Sequence, residues 1–230
     1  PGCRVVDEAI ANALFSEVLD TWLKERLRSS EHDGPIAVLA KDDPLGVVER
    51  IRELADLRRK HRSATVPAPD FSTRPDRVFA DAVAEFSRWH AAGPREPWTA
   101  DLISDLEGLA AFFDGDYALA GFSELWRLTQ PPRNSMMRKK GIDLLPYDRM
   151  GAWRQSLGET EGRRRGHEAA EHFERVRVAY RALIGCIAQG LVHELAACLS
   201  GVIDAYDQRK REAAVLDFDD LLRQARALIC

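Results

Sequence analysis

The residues in this chain whose types and spacing bear on chemistry fall into three groups. The first is His167-Glu168-Ala169-Ala170-Glu171-His172, which has the composition of a zinc-protease helix. That chemistry needs two histidines four positions apart, so that both imidazoles reach one metal from one helix face beside a glutamate base. Here the histidines stand five apart, about 140° around a helix that turns 100° per residue. The inverted H-x-x-E-H order fails too, because Glu168 occupies the position of a required histidine. The expectation is a solvated helix start and no metal site. The second group is Asp217, Asp219 and Asp220 in Leu216-Asp-Phe-Asp-Asp-Leu-Leu222. Clustered carboxylates suit a hard divalent cation, yet at a helix start they satisfy orphan N–H groups and the positive end of the dipole. Capping is expected, with Leu221, Leu222, Ala225 and Leu228 continuing an inward apolar face.

The third group is basic. Arg138-Lys139-Lys140, with Arg133 nearby, and Arg163-Arg164-Arg165 lie beside glycines in the least regular part of the chain. Such loops reach phosphates, and each phosphate neutralised adds salt-sensitive affinity. The competing reading is a solvated surface, with Glu159, Glu161 and Glu168 absorbing the second run. Arg209-Lys210-Arg211 reads as an ordinary helix C-terminus. Of 33 basic residues, 27 are Arg and 6 are Lys. This suits phosphate, because the guanidinium fork donates in pairs, and it is also what a GC-rich genome encodes. A formal charge of −4 excludes a uniformly basic nucleic-acid coat but leaves room for a local patch. The sequence has no G-x-x-x-x-G-K-[ST] phosphate loop, no G-x-G-x-x-G and no G-x-S-x-G nucleophile elbow. No catalytic residue is assigned.

The elements that must position these groups read as helices. Apolar residues make up 45% and charged residues 30% of the 230, enough to bury a core without staples. The cysteines (Cys3, Cys186, Cys198, Cys230) contain no C-x-x-C pair, so neither a zinc ribbon nor a disulfide framework is indicated and a reducing, cytoplasmic setting is expected. No stretch approaches the ~18 uninterrupted apolar residues of a membrane span, and no membrane partner is expected. Asp7 caps a first helix with Ile10, Leu14, Val18, Trp22 and Leu23 inward, occupying 1–30. Residues 31–41 read as a connection, and Asp43-Pro44 starts a second helix lined by Leu45, Val48, Ile51, Leu54 and Ala55. Residues 63–75 read as an irregular connector. A third helix follows, with Val78, Phe79, Ala82, Val83 and Phe86 inward. Thr99 caps a fourth bearing Leu102, Leu106, Leu109 and Phe113, and a fifth spans 117–129. From Phe173 to Tyr206, apolar residues step by three or four without interruption, which predicts a long helix over 163–212; Gly185 and Gly190 offer places for a bend. The fold class is all-α, an elongated multi-helix domain built around this C-terminal helix. Residues 31–162 form a helical middle with loops, a last helix covers 216–230, and no sheet is expected.

Two segments resemble a known family. Arg211-Glu-Ala-Ala-Val-Leu-Asp-Phe-Asp-Asp-Leu-Leu-Arg-Gln-Ala-Arg-Ala-Leu-Ile229 resembles the L-D-F-D-D-L-L segment of the UvrD/Rep/PcrA helicases, which follows the helical insertion of the first motor domain. Cys3-Arg-Val-Val-Asp-Glu-Ala9 resembles the F-R-V-L-D-E-A segment of the AddA and RecB branch, and Asp43-Pro-Leu-Gly-Val-Val48 is in that branch's style. The resemblance implies that the chain is an excerpt of a larger protein, the helical insertion subdomain of a superfamily 1A DNA helicase most like AddA. Such parents are ATP- and Mg-dependent 3′–5′ translocases in double-strand-break repair and recombination; the AddA type also carries a nuclease domain. Their nucleotide-binding residues match no position here. Asp217, Phe218, Asp219 and Leu221 match the family motif, with the implied role of seating the returning helix on the motor. The insertion leans over duplex ahead of the strand junction, which implies contact of Arg133, Arg138, Lys139, Lys140, Arg163, Arg164 and Arg165 with phosphates of duplex or forked DNA. The alternative is a docking module that holds a partner subunit such as an AddB-like chain. A self-standing metallo-hydrolase is the weakest reading.

Overall fold

The computed structural model describes residues 4–28, 33–94, 96–117, 120–133, 136–137 and 142–229. The chain is all-α, as the periodicity predicts, but with a short parallel ladder that the sequence pattern does not announce. It divides into two compact units, Pro1–Pro67 with Val192–Cys230, and Ala68–Leu191, each with its own apolar core.

In the first unit, β1 (Arg4–Val5) pairs in parallel with β2 (Val215–Leu216). The Arg4 N–H donates to the Ala214 carbonyl and the Val6 N–H to that of Leu216, both at 2.9 Å. Helix α1 (Glu8–Arg28) starts where the Asp7 carboxylate accepts the Ile10 N–H at 2.9 Å. Its inward face is Ala11, Phe15, Leu19, Trp22 and Leu23; Trp22 and Leu23 are buried as expected, Leu14 and Val18 are only partly buried beside Phe15 and Leu19, and Ile10 is exposed. The aromatic edge contact between Phe15 and Tyr206, with centroids 5.2 Å apart, selects this face over its neighbour of similar apolar content. The expected connection contains a helix instead, α2 (Pro35–Asp42), because Pro35 sits in the first turn, where its missing N–H costs nothing, and Ile36 and Val38 are buried. Helix α3 (Gly46–Lys60) begins with the Asp43 carboxylate accepting the Gly46 N–H at 2.9 Å. Val47, Ile51 and Ala55 are buried, while Leu45 and Leu54 face solvent.

The second unit is built from α4 (Pro75–Ala91), α5 (Pro97–Phe112), α6 (Phe122–Leu128) and α7 (Met150–Leu157). Phe79, Val83, Phe86, Leu102, Leu106, Leu109 and Phe113 are buried as expected, and Val78 is not. Thr99 lies inside the first turn of α5. The cap is Glu96, whose carboxylate accepts the Trp98 and Thr99 N–H groups at 3.0 and 2.8 Å.

Helix α8 (Glu159–Glu212) is continuous over 54 residues. Gly158 precedes it at φ 82, a left-handed conformation that Gly adopts without steric cost. Phe173, Val176, Tyr180, Leu183 and Ile187 enter the second core, and Leu199, Val202, Ile203 and Tyr206 enter the first. Gly190 does not interrupt the helix. A Cβ there would lie 2.8 Å from a Leu125 methyl, so glycine admits α6 to close packing. One 18-residue window of α8 has the length and composition of a membrane span, and 22% of that window is buried. Two residues beyond the helix, Ala214 is left-handed at φ 52, which turns the chain into β2 and then α9 (Phe218–Ile229).

Candidate functional site

The family-like motif is the joint between β2 and α9, and its chemistry is structural. Asp217 Oδ1 accepts the Asp220 N–H at 2.8 Å, and Asp220 Oδ2 accepts the Asp217 N–H at 3.2 Å. This reciprocal capping box satisfies two orphan donors at once. The carboxylates also converge on Lys210, whose Nζ lies 3.0 Å from Asp217, 2.6 Å from Asp220 and 3.2 Å from Asp207. Arg62 reaches Asp207 at 2.8 Å, Asp217 at 3.3 Å and Asp220 at 3.5 Å. The Tyr206 hydroxyl donates to Asp217 at 3.0 Å. Lys210, Asp217 and Asp220 are each at most 5% exposed. Burial alone would raise the Asp217 carboxyl, but the Asp220 amide and the Lys210 ammonium outweigh it and hold the group down at about 2. Burial, with Asp217 alongside, pushes the Tyr206 hydroxyl up.

This arrangement does not fit a Mg–nucleotide site. Asp217 and Asp220 are already occupied by Lys210, Arg62 and their own backbone, so no step through a nucleotide is derived for this chain. Lys210 and Arg62 were not distinguishable as site residues by charge alone. One signal was available for Lys210: extending the apolar stripe Leu199, Val202, Ile203, Tyr206 by one helical turn lands on it.

The expected inward face of α9 is not covered among the described residues. Leu222 and Leu228 are 55% and 88% exposed, Ala225 is also exposed, and only Leu221 is half-buried. Phe218 is exposed, and Asp219, itself largely exposed, reaches only the edge of the ionic cluster, with Arg62 at 3.9 Å. The reason is local. Asp217 and Asp220 aim one side of α9 at Lys210, which turns the apolar side away.

The phosphate candidates separate. Arg138, Lys139 and Lys140 lie outside the described residues, and Arg133 is exposed. Arg163 to Arg165 lie on the opening turns of α8 and not in a loop. The Arg163 guanidinium is 2.6 Å from Glu159, and that of Arg164 is 2.5 Å from Glu161 and also meets Glu168. The acidic neighbours therefore absorb these two charges. Arg165 is not at the surface at all. Its guanidinium lies 4.0 Å from the Trp89 ring centre and 5.6 Å from that of Trp153, with Glu168 at 3.3 Å, and the residue is 6% exposed. The indole faces attract the cation and withdraw it from any phosphate. Residues 1–67 with 192–230 hold 16 basic and 19 acidic side chains, and 68–191 hold 17 and 18. Neither unit is net basic, so any phosphate contact is local.

The two histidines of the first group also part. His167 is exposed, while His172 stacks on Phe86 at 6.0 Å and is held below its ordinary range by burial and by Arg175. Among the described residues no three His, Cys, Asp or Glu side chains converge to hold a metal ion. The chain matches no protein-family model, no curated protein sequence and no solved structure.

Proposed function

We propose that the chain is a helical accessory subdomain of an ATP-driven 3′–5′ DNA helicase of the UvrD/Rep/PcrA type, AddA-like, that handles duplex or forked DNA during double-strand-break repair in the cytoplasm. The observation that carries this reading is the pairing of β1 with β2. It sets the departing and returning segments of the helical excursion side by side, the arrangement an insertion requires. The family-like motif adjoins this ladder and holds α9 with its apolar side outward, where it suits seating on a larger body. ATP and Mg act, on this reading, in the parent motor. Binding to forked duplex DNA, followed by fluorescence anisotropy, tests it. The affinity should fall at least about tenfold between about 50 and about 200 mM salt, as counterion release requires. Affinity indifferent to salt, or ATP hydrolysis by the chain alone, would overturn the reading.

A second reading, a docking module for a partner subunit such as an AddB-like chain, draws on the burial of Arg165 and the neutralised Arg163 and Arg164. Charge reversal by Arg133→Glu, Arg138→Glu, Lys139→Glu and Lys140→Glu separates the two, abolishing DNA binding in the first case and sparing subunit assembly in the second.

A further inference from the structure

Between α4 and α8, within the second unit, runs an open groove of about 980 Å³. Its apolar lining is Val78 and Ala82 from α4 and Val178, Ala179 and Ala182 from α8. Val78 and Val178 stand 51% and 58% exposed, although both helices bury large side chains on the opposite side. Small residues let another backbone approach closely, and a trough lined by two helices is a surface that the ridges of a third helix can pack against. The rims are charged unevenly, with Asp81, Glu85, Glu171 and Glu174 against Arg88 and Arg175. Arg175 is spent on Glu85 at 2.9 Å, and Glu174 on Arg177. Asp81 and Glu171 make no ion pair among the described residues.

We infer that this groove binds a cationic amphipathic helix of a partner protein, its apolar stripe lying on Val78, Ala82, Val178 and Ala182 and its lysines or arginines facing Asp81 and Glu171. Helix-in-groove docking of this kind uses apolar anchors at i, i+3/i+4 and i+7 for affinity, with the charged rims setting orientation and partner choice. The same carboxylates repel phosphate, so DNA is not the occupant. The inference rests on the groove's own residues and stands or falls separately from the DNA reading.

The test uses the full chain and a synthetic helix-forming peptide of about 18 residues, five turns, with leucines at i, i+4 and i+7 flanked by lysines. A twin carries glutamate for every lysine. Calorimetric titration should show binding of the cationic peptide, weakened by salt, and at least about tenfold weaker binding to the Val178→Asp chain, in which a charge enters the apolar contact. Val178 is on the surface, so this variant keeps its helical circular dichroism. Asp81→Lys with Glu171→Lys should reverse the preference between the twins. No complex up to about 1 mM peptide, equal affinity for both twins, or undiminished binding to Val178→Asp would each overturn the inference. Sedimentation showing a dimer that Val178→Asp dissolves would also overturn it, assigning the face to a second copy of the chain.

Discussion

Near the end of α8, Lys210 is enclosed by Asp207, Asp217 and Asp220 with every contact within 3.2 Å. Near its start, Arg165 is enclosed by two indole rings and one partly exposed carboxylate, and its Nε and Nη2 have no hydrogen-bond partner among the described residues. Both cations are buried, and both come from basic triplets on one helix. The difference lies in how completely each charge is matched. The Lys210 cluster holds caps, ion pairs and a tyrosine hydroxyl in one network, so each member is needed by the others. The Arg165 site gains quadrupole attraction but leaves donors unsatisfied, a desolvation cost that the rings only partly offset. Buried charge is thus structural glue in one unit and near break-even in the other.

The sharpest way to break this contrast is Lys210→Met. It leaves three carboxylates facing Arg62 and Arg223, the latter 2.6 Å from Asp220 and 3.6 Å from Asp207, and the expected loss is about 3–5 kcal/mol in urea unfolding. A loss under about 1 kcal/mol would erase the distinction. Acid titration comes next. Asp217 is held at about 2, below its ordinary 3.8, so its contribution is present above pH 4 and is lost as the pH falls toward 2. The associated stability is roughly 2 kcal/mol, and Asp217→Asn should flatten that part of the pH profile. Arg165→Met should be nearly neutral, within about 1 kcal/mol, because an apolar chain of similar length removes two unsatisfied donors. A loss as large as that of Lys210→Met would show that the indole box is a true counterpart of the ionic cluster. The smallest effect belongs to Arg163→Ala and Arg164→Ala. These break exposed pairs of one-turn spacing, each worth about 0.3–0.5 kcal/mol, and thermal unfolding should barely move.

Local features were legible residue by residue. Asp7, Asp43 and Asp217 are caps in the sequence pattern and caps in the fold. The long stripe from Phe173 to Tyr206 belongs to one helix. Where two adjacent stripes have similar apolar content, the pattern was ambiguous, and α1 chose Phe15 and Leu19 over Leu14 and Val18. The candidate site was less legible. A basic triplet carries no mark of whether a residue's neighbours in space are water, carboxylates or tryptophans. Arg165 therefore looked like its neighbours Arg163 and Arg164, and Lys210 looked like Arg209 and Arg211.

What the sequence determined by itself is the helical class and the starts of α1, α3 and α9. Both follow from 3.6-residue periodicity and from side-chain-to-backbone bonds spanning three residues. Tertiary structure alone decided which stripe of α1 faces inward, that Trp89 and Trp153 close over Arg165, that Arg62 joins Lys210 across 148 positions, and that α9 turns its leucines outward. Each of these depends on contacts between residues far apart in the chain, and their free energy exists only once the helices have packed.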